Sequence, residues 1–134
     1  MKRRLAEAPV ARLATADVNG RPHVVPISFA VDGDTIYFAV DAKPKRSPDL
    51  KRLHNIAAHP QVAFLVDHYE EDWTRVWWVR VDGTALVLDS GPERDRGVDL
   101  LCAKYEQYRG RPEQLGRVVV ITAERWRAWS AAGG

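Results

Sequence analysis

The chain has 134 residues, of which 46% are hydrophobic and 28% charged, with a formal net charge of +2. This length predicts one domain over residues 1–134 and excludes a (β/α)₈ barrel or a two-half dinucleotide fold, since domains most often contain about 100–150 residues. The balanced charge argues against a nucleic-acid binder, and no apolar run is long enough to predict a membrane span.

In chain order, a short helix, three strands, a helix, two strands, a helix and a last strand are predicted. The strands follow from alternating hydrophobic residues at 10–16, 23–31, 35–40, 62–67, 76–88 and 117–123. The helices are expected at residues 2–8, 47–58 and 92–108. Tight turns such as Asn19-Gly20 favour antiparallel pairing, and six strands around one core predict a small Greek-key β-barrel with flanking helices.

Two residues predict irregularities in these strands. Pro26 cannot donate a hydrogen bond to a neighbouring strand, so a bulge or an edge position is expected there. Gly83 lies within the longest predicted strand and indicates a bulge or bend.

The sequence carries no protein nucleophile in a recognisable setting. Motifs of serine hydrolases, phosphate-binding loops and dinucleotide folds are absent, and the spacing of the four histidines predicts no metal site. The single Cys102 excludes an intramolecular disulfide framework. Together with a charged N-terminus that lacks an apolar signal-peptide core, it favours a cytoplasmic protein. If the protein is an enzyme, a cofactor is expected to supply the chemistry.

A cationic segment is the best indication of a cofactor. Lys43, Lys45 and Arg46 directly precede the predicted start of a helix, where unpaired backbone N–H groups also favour an anion. This pattern suits a phosphate group, although a solvated basic loop would have the same composition. The strand around Pro26 could bind the edge of a heterocycle through backbone groups, although an edge-strand proline explains the pattern equally well.

Five tryptophans are concentrated in two segments: Trp73, Trp77, Trp78, Trp126 and Trp129. Adjacent residues of a strand point to opposite faces, so one of Trp77 and Trp78 is expected inside the barrel and the other outside. An outward tryptophan indicates a subunit interface or a stacking wall, or else a minor hydrophobic cluster.

Three passages of the chain, taken in their order along the sequence, resemble the flavin- and deazaflavin-binding split-barrel superfamily related to pyridoxamine 5′-phosphate oxidase. The closest resemblance is to the actinobacterial F420-dependent oxidoreductases (the FDOR-B type). The passages cover residues 11–29, 41–62 and 67–85 and include Arg12-Leu13-Ala14-Thr15, Lys43-Pro44-Lys45-Arg46 and Trp77-Trp78-Val79-Arg80. The arginine–histidine pattern that true pyridoxamine phosphate oxidases carry near the C-terminus is missing after Arg117.

The resemblance implies a homodimer of six-stranded split barrels with cofactor sites between the subunits. It implies that Lys43, Lys45 and Arg46 hold the phosphate and acidic tail of coenzyme F420. The residues implied to line the ring are Val25, Pro26, Ile27 and Ser28. Those implied to flank it from the partner are Trp77 or Trp78, with Arg80. The expected activity is hydride transfer from reduced F420 to a small organic acceptor such as a conjugated double bond; an FMN-binding oxidoreductase and a non-catalytic cofactor binder are the alternatives.

Overall fold

The structure is a computed structural model that describes the backbone of residues 2–41 and 49–133 and the side chains of residues 2–40 and 51–133. Its helices are α1 (Lys2–Glu7), α2 (Asp49–Ala58) and α3 (Pro92–Lys104). Its strands are β1 (Ala11–Ala16), β2 (Pro22–Ile27), β3 (Ala30–Asp32), β4 (Thr35–Asp41), β5 (Gln61–His68), β6 (Trp77–Leu88) and β7 (Leu115–Ser130). None of the helices in these residues is long and apolar enough to cross a membrane.

All seven strands belong to one antiparallel sheet with the order β2-β1-β5-β6-β7-β4-β3. The two edge strands, β2 and β3, follow each other in the chain and are separated only by Ser28 and Phe29. The three Cα–Cα steps from Ile27 to Ala30 span at most about 11 Å, so the edges of the sheet come close together and the sheet curls into a barrel.

The barrel interior holds the main core. Strand positions alternate between the interior and the outside, as in β4, where Ile36 and Phe38 lie in the main core and Tyr37 lies in a second cluster. Leu5 of α1 is fully buried in the main core. The second cluster forms where α3 packs on the outside of β4 and β7 through Val98 and Leu101.

The prediction of one strand over residues 23–31 is wrong, and the sheet has seven strands rather than six. The chain leaves one edge of the sheet after Ile27 and joins the other edge at Ala30, so no single neighbour can pair with the whole segment. Phe29, between them, is fully buried, and its ring meets that of Phe64 edge-on at 4.8 Å. The edge position expected for Pro26 is confirmed.

Two other predictions concern element boundaries. The helix predicted over 92–108 ends at Lys104, because Tyr105 adopts an extended backbone conformation before a short 3₁₀ turn, Glu106–Tyr108. The irregularity expected at Gly83 is confirmed: Asp82 pairs with Arg125 and Gly83 with Ala123, which leaves Glu124 of β7 as the extra residue.

Candidate functional site

Strand β2 presents an open backbone edge at the side of the barrel. Within the described residues β2 pairs with β1 alone, so alternate N–H and C=O groups along its other edge have no strand partner. Pro26 is exposed and lies on the outer face, whereas Ile27 is only 6% exposed and belongs to the core. A ring bound here can therefore contact Pro26 directly, but it can meet Ile27 only through the backbone.

The remaining two residues of the predicted ring site lie close to the core. Val25 is half-buried and packs against the main core. Ser28 is half-buried in the segment that joins the two edges. A hydrogen bond from the Phe29 N–H to Tyr105 Oη at 3.0 Å ties this segment to the residue that follows α3.

The two adjacent tryptophans of β6 have different surroundings, as predicted. Trp77 packs against the main core, and the Arg4 guanidinium lies 5.2 Å from its ring centroid. Trp78 lies on the opposite face and pairs across the strands with Trp129, which is 47% exposed. Trp78 is therefore the outward tryptophan.

Arg80 lies on the same outer face as Trp78, two residues further along β6. Its Nε is 3.2 Å from Asp82 Oδ1, and its register partner on β7 is Arg127. Side chains at paired positions share a face, so Arg80 and Arg127 stand side by side. Arg12 of β1 lies two strands away from Arg80 on the same face, with Leu65 of β5 between them. The outer face of these strands is thus rich in arginine.

An open cleft of about 610 Å³ lies at the tryptophan end of β6 and β7. Its lining consists of Arg4, Trp77, Trp78, Val79, Ala128, Trp129, Ser130 and Gly133. Strand β2 lies three strands away from β6, which corresponds to roughly 14 Å at about 4.8 Å per strand. One copy of the chain therefore does not bring the β2 edge and the tryptophan cleft together.

The cationic cluster predicted to bind phosphate lies outside the described residues. This applies to Lys43, Lys45 and Arg46, and also to Ser47, the predicted start of α2. The described part of α2 begins at Asp49, three residues after Arg46 in the chain.

Comparison with known proteins places this architecture in a family. A family model described as pyridoxamine 5′-phosphate oxidase matches residues 1–130. The chain belongs to the pyridoxamine 5′-phosphate oxidase family. Its fold is the flavin-binding split barrel of that family, which confirms the resemblance seen in the sequence.

Individual members of this fold differ in what they bind. The chain is 33% identical over 86 residues to a 5a,11a-dehydrotetracycline/5a,11a-dehydrooxytetracycline reductase of Streptomyces rimosus, a match over 63% of the chain and 59% of the reductase. The structure resembles an FAD-binding protein of Mesorhizobium loti, with a TM-score of 0.71, 23% identity and coverage of 95% of this chain and 89% of that one. It also resembles the haem storage protein HutZ of Vibrio cholerae, with a TM-score of 0.73, 14% identity and coverage of 96% and 92%. At these identities the solved structures show the fold alone.

Three polar residues that sequence reasoning did not select lie beside the tryptophans of this family member. Arg4 lines the cleft from α1, and His68 stacks on Trp77 while contacting Glu70. The sequence pattern alone predicts that each histidine is a surface or capping residue. The position of His68 opposite Trp77 follows from the β5–β6 register, which one sequence does not reveal.

Proposed function

We propose that the protein is an F420-dependent reductase that works as a homodimer, with a deazaflavin site between the subunits. The open edge of β2 is the observation that carries this proposal. Among the described residues it offers backbone donors and acceptors without a strand partner beside the exposed Pro26, which suits the polar edge of a flat heterocycle in a family whose fold binds flavins.

The separation of the two half-sites supports the homodimer. In one copy the β2 edge and the tryptophan cleft are three strands apart; within the described residues the β2 edge has no second strand partner, and the cleft is open. A second copy related by a two-fold axis would set Trp78 and Arg80 of one subunit against the β2 edge of the other, and would do so twice. The exposed Trp129 beside Trp78 would be buried in the same contact.

The arginine-rich outer face favours F420 over FMN. Both cofactors carry a tricyclic ring and a phosphate, which Lys43, Lys45 and Arg46 would hold. Only F420 adds an acidic oligoglutamate tail, and Arg80 and Arg127 stand side by side on a face that also carries the carboxylates of Asp82 and Asp67. The additional arginines would neutralise such a tail.

When bound, reduced F420 supplies a hydride to a conjugated acceptor. The chain's own residues bind and orient the two reactants. The β2 backbone would fix the cofactor ring, and the tryptophans that line the cleft would hold a flat acceptor against that ring. The similarity to a reductase over 63% of the chain supports this class of reaction.

Equilibrium binding of the purified protein to F420, FMN and haem tests the proposal. Fluorescence follows the first two ligands and absorbance the third. We expect F420 to bind most tightly, and reduced F420 to be oxidised when 2-cyclohexenone is added. Tight binding of FMN or haem without binding of F420 would contradict the proposal, and F420 binding without turnover of any enone or quinone would indicate a non-catalytic binder.

The phosphate site is tested by Lys45→Ala and Arg46→Ala. A charge-assisted hydrogen bond contributes roughly 1.5–3 kcal/mol, so each change should weaken F420 binding by about tenfold or more. Lys51→Ala is the matched control, since this exposed lysine follows the cluster and lies 3.9 Å from Asp17. Thermal unfolding should be unchanged in all three variants. Unaltered affinity in both cluster variants would show that the phosphate binds elsewhere.

A further inference from the structure

His68 is held in a fixed orientation at the end of β5. Its imidazole stacks on the Trp77 ring, with the centroids 6.3 Å apart and the planes 21° apart. Its Nε2 lies 2.6 Å from Glu70 Oε2, and the other oxygen of Glu70 lies 3.3 Å from Arg75 Nε. The aromatic ring and the carboxylate thus fix two sides of the imidazole. In the described residues no hydrogen bond engages Nδ1, which leaves that nitrogen to exchange a proton.

This imidazole borders a cavity that adjoins the tryptophan cleft. The cavity has a volume of about 310 Å³ and is lined by Arg4, His68, Thr74, Arg75, Trp77, Ser130 and Ala132. It shares Arg4, Trp77 and Ser130 with the cleft of about 610 Å³. A flat molecule that fills the cleft as far as Trp77 would therefore have the His68 ring next to it, because His68 lies on the same face of the sheet as Trp77 and not on that of Trp78.

Reduction of a conjugated double bond requires a proton as well as a hydride. The π bond of the acceptor breaks as its β-carbon forms a C–H bond with the hydride, and the electron pair passes to the α-carbon and the carbonyl oxygen as an enolate. A second C–H bond then forms at the α-carbon with a proton. A positioned general acid accelerates such a step by roughly 10²–10⁴-fold, and histidine is the side chain that most often serves.

We propose that His68 is this proton donor and that Glu70 is its positioning residue. The proposal rests on the proposed reductase function. Nδ1 of the imidazolium gives its proton to the α-carbon, and the neutral ring regains a proton from water. The charged groups that face the imidazole are Glu70 and Arg75 from its own loop and Arg4 from α1.

The same surroundings define the class of acceptor. Tryptophan faces favour a planar, conjugated molecule, and the Arg4 guanidinium beside Trp77 favours a carbonyl oxygen that becomes negative during the reaction. The acceptor class is therefore planar α,β-unsaturated ketones rather than saturated or strongly cationic molecules.

The first test compares His68→Ala and His68→Gln with His54→Gln, an exposed histidine of α2 that lies outside both cavities. In the two His68 variants we expect F420 affinity to change less than twofold and turnover of 2-cyclohexenone to fall by roughly 10²–10⁴-fold. Added imidazole should restore part of the turnover of His68→Ala, because it can enter the space left by the side chain. The control should match the parent protein.

The position at which solvent deuterium enters the product distinguishes proton donation by His68 from a purely structural role of this residue. In deuterated water a prochiral acceptor, 2-methyl-2-cyclohexenone, should gain deuterium on one face of its α-carbon with the parent protein. With the His68 variants it should gain deuterium on both faces, because water then delivers the proton. Unchanged turnover and unchanged facial selectivity in both variants would overturn the inference while leaving the reductase function intact.

A binding measurement that needs no turnover completes the test. The phenolate of 4-nitrophenol resembles the enolate in shape and charge. Added to the protein with oxidised F420, it should shift the NMR signals of the His68 imidazole and not those of His54, and His68→Gln should weaken its binding by about tenfold. Absence of a shift would overturn the role of His68 whether or not the protein reduces enones. Conversely, a shift in a protein that reduces no acceptor would contradict only the proposed reductase function.

Discussion

At the scale of single residues, Gly83 shows how one position sets the geometry of a long strand. A Cβ atom built on Gly83 would lie 2.4 Å from the backbone oxygen of Thr122, closer than any real contact. The neighbouring strand comes this near because the bulge at Glu124 shifts the β6–β7 register. The sequence predicted the irregularity from the glycine, but not that the extra residue belongs to β7, since that depends on how the two strands pair.

Gly83→Ala is therefore expected to lower the free energy of unfolding by about 1–3 kcal/mol, the range for overpacking against groups that cannot move aside. Urea unfolding followed by tryptophan fluorescence measures the change. Thr84→Ala is the control at the next position, where only the hydrogen bond from Thr84 Oγ1 to Glu124 is lost. Equal stability of Gly83→Ala and the parent protein would contradict the close approach of the two strands.

Lys104 is a half-buried residue whose titration should make the stability of the fold depend on pH. Burial lowers its pKa from 10.5 to about 8, while the Ala8 carbonyl 2.7 Å from Nζ and the Phe29 ring 3.7 Å away retain a charged form below that pH. Between about pH 8 and pH 10 the unfolded chain then binds more protons than the folded one. The Lys104 contribution to the free energy of unfolding should therefore rise with pH across this window.

Comparison of the parent protein with Lys104→Met isolates this effect, because the tyrosines contribute equally to both. The difference in free energy of unfolding, parent minus variant, should increase between about pH 7.5 and about pH 9.5. Urea titrations at the two pH values measure it. A difference that stays constant or decreases would show that the lysine titrates as an exposed group does.

At the scale of elements, the sequence predicted the secondary structure of each segment better than the strand with which that segment pairs. Alternating residues and turn signals located the strands apart from the division between β2 and β3, and Pro26 correctly indicated an edge. The break after Ile27 escaped prediction because residues 23–31 contain no glycine, asparagine or aspartate that would indicate a turn, and the interruption depends on which neighbour each half pairs with. The end of α3 was missed similarly, since Tyr105 leaves the helix to reach the segment around Phe29.

The Tyr105 hydroxyl fixes the crossing between the two edges of the sheet. Its oxygen accepts the Phe29 N–H at 3.0 Å and lies 3.0 Å from the Phe29 carbonyl oxygen and 2.8 Å from that of Pro9. Tyr105→Phe leaves these backbone groups without this partner, so the free energy of unfolding should fall by about 1–3 kcal/mol.

Tyr108→Phe is the matched control, because Tyr108 packs edge-on against Tyr105 at 5.7 Å. Urea unfolding measures the stability of both variants, and hydrogen exchange of the Phe29 amide reports on the crossing itself. Exchange should quicken in Tyr105→Phe and not in Tyr108→Phe. Similar exchange in the two variants would show that the aromatic ring, and not the hydroxyl, holds the crossing.

At the scale of the whole molecule, the predicted site is divided by the topology. The sequence named the residues of both halves, but the distance between them depends on the strand order, in which β1 and β5 separate β2 from β6. His68 and Arg4 were missed because their relation to Trp77 arises from strand register and from the packing of α1. Local sequence patterns thus predict candidate residues for the site, whereas strand order, strand register and helix packing decide how far apart these residues lie.

Subunit mixing tests whether two copies share each site. One variant combines Lys43→Ala, Lys45→Ala and Arg46→Ala, and the other combines Trp78→Ala and Arg80→Ala. A homodimer of either variant should bind F420 weakly, because both of its sites carry a defect. In an equal mixture about half of the dimers contain one copy of each variant, and one of their two sites is then free of defects, so about a quarter of all sites should regain parental affinity. Fluorescence titration of the mixture measures this fraction.

Putting all five changes in one chain and mixing it with the parent protein provides the control, in which about a quarter of the sites should also be free of defects. Recovery in the control mixture without recovery in the test mixture would show that the two groups of residues act within one chain.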